Sequence, residues 1–413
     1  MTEVLILGAG PAGLMAADVL AQAGVGITVI DKMPSAGRRL LMAGRGGLNL
    51  THSEPLPQFL SRYDAQPKAL TQAIAAFAPS NLQAFAADLG EPCFTGPSGR
   101  VFPKSMKASP LLRAWLRRLG GLGVVLRLGC RFEGWTDKGA VRLVGGEGGL
   151  QEPRAIILAL GGASWPRLGA DGQALEHLRA AGVPVQPFTA SNCGVNLDWS
   201  LGFRTRFAGA PLKAIQVSCA GATSRGEAVV TPYGLEGGAI YALSRQIRDA
   251  VTETGAATLW LDLKPDLSES EIRQRLARQK PGQSRANRLR KACGLAPVLI
   301  NLIGEAGPHG LDEAGLIKAL PLHVCGLQSL DRAISSAGGV RFDALDASLM
   351  LVNKPGVFVA GEMLDFDAPT GGYLLQAAFS TGAWAAKGTL AYLQTAPPPL
   401  ALYHTGQIPR SAV

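Results

Sequence analysis

The sequence predicts an α/β protein: a Rossmann-type dinucleotide-binding domain assembled from both ends of the chain, with a β-rich domain inserted between its parts. Three observations carry this. Residues 4–31 read as strand, glycine turn, helix and strand. Residues 185–265 change to short strand-like runs. Residues 337–395 then return to the buried-strand and helix texture of the start.

The opening unit is the most informative. The apolar run Val4-Leu5-Ile6-Leu7 leads into Gly8-Ala9-Gly10-Pro11-Ala12-Gly13, a helix-like segment follows over 14–23, and a second apolar run, 27–30, ends on Asp31. A G-x-G-x-x-G pattern gains meaning only in that context. Gly8 permits the tight turn off the strand, Gly10 lets the backbone approach a pyrophosphate, and Gly13 lets the helix close on the strand. The helix N-terminus offers free N–H groups and a positive dipole end to the phosphates. Asp31, 18 residues after Gly13, is placed to accept hydrogen bonds from ribose hydroxyls and to repel a 2′-phosphate.

Residues 37–51 are rich in glycine, hold three arginines and flank an apolar quartet, a composition suited to a loop lying against a flat ring and a pyrophosphate. Of Arg38 and Arg39, one is expected to contact phosphate. Residues 56–90 read as helical with punctuation at Pro67 and Pro79, and short strands at 93–95 and 100–103 flank a Gly96-Pro97-Ser98-Gly99 turn. Ser109 and Pro110 suggest the cap and first residue of a helix to about 119. Strands follow at 124–128, 131–135 and 140–144, then a fully buried strand over 155–160 that ends in Gly161-Gly162. A small meander inserted between Rossmann elements, followed by Ala159-x-Gly-Gly, describes a flavin-type domain better than a plain βαβαβ dehydrogenase.

The β-rich region holds strand-like runs at 214–220, 226–231 and 258–263, with one helix expected over 239–252. A helical block, 268–318, opens on a capping box formed by Ser268 and Glu271, and 320–327 returns to strand. The buried run 357–360 ends in Gly361-Glu362, and Thr370-Gly371-Gly372-Tyr373 opens a helix to about 393. In a flavin enzyme the acid can bond the ribityl chain, while the helix N-terminus faces the N1–O2 edge where reduction deposits charge.

Composition sets further bounds. The chain has 413 residues, 47% of them hydrophobic and only 17% charged, which describes a globular protein. No apolar run reaches the roughly 18 residues that span a bilayer, and the first strand begins too early for a signal peptide, so the chain reads as cytoplasmic with no membrane partner. Six dispersed cysteines without C-x-x-C and five histidines without H-x-x-x-H argue against a redox dithiol and against a metal. The net charge of +9 is concentrated in 100–131 and 264–291. Without interleaved aromatics in the second stretch, solvated helix faces are favoured over a nucleic-acid surface.

These residues resemble the BaiN/RdsA (YhiN-like) family of NAD(P)/FAD-dependent oxidoreductases, whose relatives include aminoacetone oxidase. The resemblance covers nearly the whole chain and rests on GAGPAGLMAA (8–17), GRRLLMAGRGGLNLT (37–51), SGRVFPKSMKAS (98–109), ALGGASWPRLGADG (159–172), AGGVRFDALD (337–346) and GVFVAGEMLDFDAPTGGYLLQAAFSTGAWA (356–385). It implies a FAD-binding domain, 1–186 and 337–396, and a β-barrel domain, 187–264 and 319–336. A helical insertion at 265–318 and a tail at 397–413 complete the division. It puts the pyrophosphate on Gly10, Pro11, Ala12 and Gly13, and Gly8 and Arg39 are also expected among the cofactor-binding residues. The adenosine ribose falls on Asp31 beside Lys32, and the adenine on the backbone of Phe132. Ala43, Gly44, Asn49 and Thr51 would lie along the flavin or ribityl chain, and Ala159, Gly161 and Gly162 are further expected cofactor-binding residues. Gly361, Glu362 and the backbone of Gly372, Tyr373, Leu374 and Leu375 would hold the ribityl and pyrimidine edge.

The chain also departs from the family. Gly46-Gly47-Leu48-Asn49 replaces Gly-Arg-Cys-Asn, Tyr373-Leu374 replaces Tyr-Asn, and Thr231-Pro232-Tyr233-Gly234-Leu235-Glu236-Gly237-Gly238 replaces Thr-His-x-Gly-Leu-Ser-Gly-Pro. The expected activity is a FAD-dependent oxidoreductase passing hydride through flavin N5 between a small organic substrate and NAD(P)H or oxygen. With no second Rossmann unit, a nicotinamide donor would dock transiently. A tRNA-modifying flavoprotein and a FAD-binding protein without turnover are the alternatives. No residue declares itself as acid or base: His52, Tyr233 and Tyr373 are candidates for which structural roles are favoured.

Overall fold

The computed structural model describes residues 2–306 and 310–395; the expected tail lies outside them. Its centre is a five-stranded, all-parallel sheet in the spatial order Val357–Val359, Ala155–Leu158, Val4–Leu7, Ile27–Asp31, Val125–Leu128. The edge strand next to Ala155–Leu158 thus comes from the far end of the chain. The first strand is buried on both faces, as a parallel sheet requires. Val4 and Ile6 face a layer built from the helices Pro11–Gln22, Ala108–Gly121 and Tyr373–Thr395, and Leu5 and Leu7 face a second layer that includes Phe59, Tyr63, Phe132 and Leu143. The second layer is covered by the meander Arg131–Trp135, Val141–Val144, Gly149–Gln151.

The inserted domain is a closed six-stranded antiparallel barrel, in the order Val195–Leu197, Gly234–Glu236, Ala222–Thr231, Pro211–Cys219, Ala257–Asp262, Leu320–Leu327. Closure leaves no free sheet edge. The helical insertion, Glu269–Ala277 through Glu313–Lys318, sits between its last two strands and shares its core through residues such as Ile272, Leu289 and Leu302. Ser268 and Glu271 form the expected capping box, the Ser268 hydroxyl accepting from the Glu271 amide at 3.3 Å. The barrel joins the first domain through one antiparallel ribbon, Val185–Ser191 against Ser335–Val340.

Some local expectations are corrected. Ser109 is not a cap: the helix Ala108–Gly121 begins one residue earlier, with Lys107 at its N-cap and no side-chain bond there. The helix expected over 239–252 is broken into Gly238–Tyr241 and Ser244–Thr254. Residues 56–90 are helical with the expected punctuation at Pro67 and Pro79, forming Leu56–Leu60, Lys68–Ala76 and Pro79–Asp88. Among the described residues no helix is long and apolar enough to cross a membrane, and no cluster of His, Cys, Asp or Glu could hold a metal ion.

Candidate active site

A cavity of about 740 Å³ runs along the carboxyl ends of the parallel strands. It opens between Val4–Leu7 and Ala155–Leu158, where the chain order of the sheet reverses and ligands of such sheets bind. Gly8 sits at this switch point with φ +111°, and a Cβ on it would lie 2.1 Å from the Ala159 carbonyl oxygen. Gly13 answers a different need: its Cβ would lie 1.9 Å from the Gly8 oxygen, so it lets the helix press on the turn. Gly10 differs from both. A Cβ there would meet no protein atom, and the position lines the cavity. The helix that starts at Pro11 has no side-chain cap and no acid in its first turn, and Gly10, Pro11 and Ala12 at its start line the cavity, which leaves its first N–H groups available to a ligand.

Asp31 lines the same end. Its Oδ2 accepts from the Ala9 amide and its Oδ1 from the Met33 amide, both at 2.8 Å, which fixes the carboxylate while leaving lone pairs for a ligand. Lys32 lines the cavity but is ion-paired to Asp171 at 2.5 Å. Phe132, Ala159, Gly161 and Gly162 line the wall beyond.

Midway, two residues from opposite ends of the chain meet. Arg39 forms an ion pair with Glu362 and donates to Ser164 Oγ at 2.8 Å. Glu362 also accepts from the Ser336 amide at 3.0 Å. Burial pushes the Glu362 carboxyl up, but the Arg39 guanidinium and the amides of Ser336 and Gly162 outweigh it and hold the group below its ordinary range. Arg39, one of the two arginines considered for a phosphate contact, lines the cavity with its guanidinium paired to Glu362. Its neighbour Arg38, also in the cavity wall, keeps a buried Nε without a partner.

At the far end Ala43, Asn49, Gly361, Gly372, Leu374 and Leu375 line the cavity, and the buried Asn49 Oδ1 has no hydrogen-bond partner. Four expected residues do not line it. Gly13 serves the helix–turn contact just described. Gly44 packs on Ala108, its Cβ position 2.7 Å from that methyl. Thr51 is fully buried, its backbone pressed by Gly372. Tyr373 turns its ring away into a cluster with His52, Phe59 and Tyr63 and donates to Glu54 Oε1 at 2.5 Å.

The three acid–base candidates are also held elsewhere. His52 Nε2 lies 3.0 Å from the Ser98 carbonyl, Tyr233 donates to Glu236, and none of His52, Tyr233 and Tyr373 lines the cavity. The residue that the sequence concealed is Tyr241, which the barrel domain brings to the cavity together with Gly238. Arg45 and Arg100 also reach it. Tyr241 follows the altered barrel motif by three positions, but no local pattern announces a contact made only between domains.

The open space at Gly10, the uncapped helix start and the unpartnered Asn49 oxygen fit FAD. Fold and cavity together define a Rossmann-type FAD-dependent oxidoreductase. The chain belongs to the HI0933-like protein Rossmann domain family, which matches residues 2–388. It is 25% identical over 408 residues to 3-dehydro-bile acid delta(4,6)-reductase of Clostridium scindens, covering 92% of this chain and 97% of that one. It is 26% identical over 398 residues to the ribosomal RNA dihydrouridine synthase of Haemophilus influenzae, covering 92% and 96%. Among solved structures, 3-ketosteroid delta1-dehydrogenase of Sterolibacterium denitrificans superimposes with a TM-score of 0.53 at 12% identity, covering 94% of this chain and 99% of that one, which bears on the fold.

Proposed function

We propose that this flavoprotein passes hydride between a small organic substrate and either NAD(P)H or oxygen, with FAD as its resident cofactor. The observation that carries the reading is one continuous cavity lined at one end by Gly10 and Asp31 and at the other by residues of both domains. When bound, FAD supplies hydride transfer through N5. The chain's own residues do the rest. Gly10 and the N–H groups at the start of the first helix hold the pyrophosphate, with Arg38, whose buried Nε has no partner, as a cation in the same cavity wall. Asp31 holds the ribose, and Asn49 offers its free oxygen toward the ring end. Phe188, Ile334 and Pro369 make an apolar wall against the substrate and limit water there. A nicotinamide donor would share this mouth.

The test is anaerobic addition of NADH or NADPH to the purified yellow protein. Rapid bleaching supports a reductase, whereas bleaching only by an organic donor supports an oxidase. A colourless protein that stays so when FAD is supplied overturns the reading.

A second reading, action on RNA, draws on the ribosomal RNA dihydrouridine synthase relative and on the basic helical insertion. Part of that charge is spent internally: Arg285 and Arg288 pair with Glu313, and Arg273 with Glu269 and Asp312. This reading requires RNA binding that weakens steeply with salt. Negligible binding at low salt ends it.

A further inference from the structure

Six basic and three acidic side chains line the cavity. Lys32 and Arg39 pair with Asp171 and Glu362, Arg131 donates to Gln173 Oε1 at 2.6 Å, and the flavoprotein reading sets Arg38 with the pyrophosphate. Arg45 and Arg100 are left over. Among the described residues neither guanidinium has an ion pair or a hydrogen bond, and both residues are exposed while lining the cavity, which puts them on its rim.

A small sheet links the two. Thr51–His52, Arg100–Pro103 and Cys93–Thr95 pair antiparallel, and the alternation of side chains buries Val101 and sets Arg100 and Phe102 on the other face. Phe94, directly opposite Phe102, stacks on it with ring centroids 5.9 Å apart and 29° between the planes, and stays 41% exposed. The turn that carries Arg45 closes on the same ring. A Cβ at Gly47 would lie 2.7 Å from the Met106 methyl and 3.7 Å from the Phe102 ring, and the Leu48 amide donates to the Met106 carbonyl at 3.0 Å. The exposed aromatic pair thus has one free guanidinium two residues away on its own strand and another two residues from the turn packed against it. An aromatic face stacks a base, and a guanidinium fork takes phosphate oxygens in pairs.

We propose that this rim docks the adenosine half of NADPH: Phe94 and Phe102 stack the adenine, Arg45 and Arg100 hold the 2′-phosphate, and the nicotinamide half enters the cavity. The proposal rests on the flavoprotein reading above and selects the phosphorylated donor within it. FAD takes the turn from Gly8 to Gly13, and the chain has no second strand–G-x-G-x-x-G–helix unit, so the donor needs a site of another construction. Asp31, which repels a 2′-phosphate, is engaged with the FAD ribose in that reading. NADPH carries more negative charge than NADH and so gains more from two unpaired guanidiniums. One stacked aromatic pair is a platform for one base, whereas a nucleic-acid strand needs successive stacking sites along a basic groove.

The experiment titrates FAD-loaded protein calorimetrically with adenosine 2′,5′-bisphosphate and with adenosine 5′-monophosphate. Resident FAD keeps both probes out of its own site. Wild type should bind the bisphosphate about 100-fold more tightly, and Arg45→Ala and Arg100→Ala should each lower that preference about 10-fold, the scale of one hydrogen bond to a charged group. Phe102→Leu should weaken both probes alike, by about 5-fold or more, and leave the preference unchanged. Equal binding of the two probes by wild type overturns the proposal, as do arginine variants that keep the wild-type preference. Oligoadenylate that binds tightly where the bisphosphate does not gives the surface to RNA and overturns it too. A protein that fails these tests while staying yellow leaves the flavoprotein reading standing, whereas failure to retain FAD removes that reading and this proposal with it.

Discussion

At the residue scale the two glycines of the turn separate folding from binding. Gly8 is forced by its positive φ and by the Ala159 carbonyl, so Gly8→Ala should destabilise the protein with or without flavin, by about 1–3 kcal/mol of backbone strain plus the clash. Gly10→Val places its side chain in open cavity. Thermal unfolding of the flavin-free variant should match that of flavin-free wild type, while flavin retention on gel filtration is lost. A Gly10→Val protein that keeps its flavin would move the pyrophosphate elsewhere. The pair of Arg39 and Glu362 makes a prediction in pH. The Glu362 carboxyl is held below its ordinary value in the fold, so its contribution to stability is present above about pH 4.5 and is lost as pH falls through the lower folded value. Wild type should therefore lose melting temperature below pH 4.5 more steeply than Glu362→Gln. At neutral pH, Arg39→Ala leaves the carboxylate buried without its cation and should cost about 2–3 kcal/mol by denaturant titration, below the range for a fully enclosed pair because Arg39 keeps 26% of its side-chain surface.

At the scale of elements, the long helix Tyr373–Thr395 and the first helix touch backbone to backbone. A Cβ at Gly382 would lie 2.3 Å from the Ala12 oxygen, and one at Gly361 would lie 2.8 Å from the Ala12 methyl. Gly382→Ala should therefore cost about 1–3 kcal/mol and weaken flavin retention, since the displaced Ala12 lines the cavity. An unchanged urea midpoint would refute the close contact. Elements of this kind were legible in the sequence because their signals are local. The strand, turn and helix of residues 4–31, the hairpin strands 93–95 and 100–103, and the Ser268–Glu271 box all follow from chemistry within a few residues. Ser109 misled because Pro110 beside it looked like a first helical residue, although the first turn accepts a proline beyond that position. Thr51 and Tyr373 stand in the motif beside true cavity residues, and only tertiary packing decides that their side chains face the core. Tyr241 was illegible for the converse reason: its place at the cavity exists only once two domains meet.

At the scale of the molecule, the domains are joined by more than their ribbon. Arg248 donates to Asp367 Oδ2 through both terminal nitrogens at 3.1 Å, Asp367 Oδ1 accepts from Ser191 at 2.6 Å, and Arg245 pairs with Asp64. Asn192 ties the ribbon to the loop before the long helix, donating to Ser335 Oγ at 2.7 Å and the Ala368 carbonyl at 2.9 Å and accepting from the Thr370 amide at 3.0 Å. Arg248→Met combined with Asp367→Asn should loosen this junction, so that calorimetry resolves two transitions where wild type gives one. A single transition at lowered temperature would place the coupling in the apolar contacts instead. The composite sheet carries its own consequence for biosynthesis. Strand Ala155–Leu158 lacks its outer neighbour until Val357–Val359 has been made, roughly 200 residues later. At about 5–20 residues per second, the ribosome leaves that hydrogen-bonding edge uncovered for on the order of 10–40 s. Meanwhile the barrel, whose strands lie wholly within that interval, can close on itself. Chain order therefore lets the nascent protein hold a closed barrel beside a nucleotide-binding sheet that still lacks its edge strand.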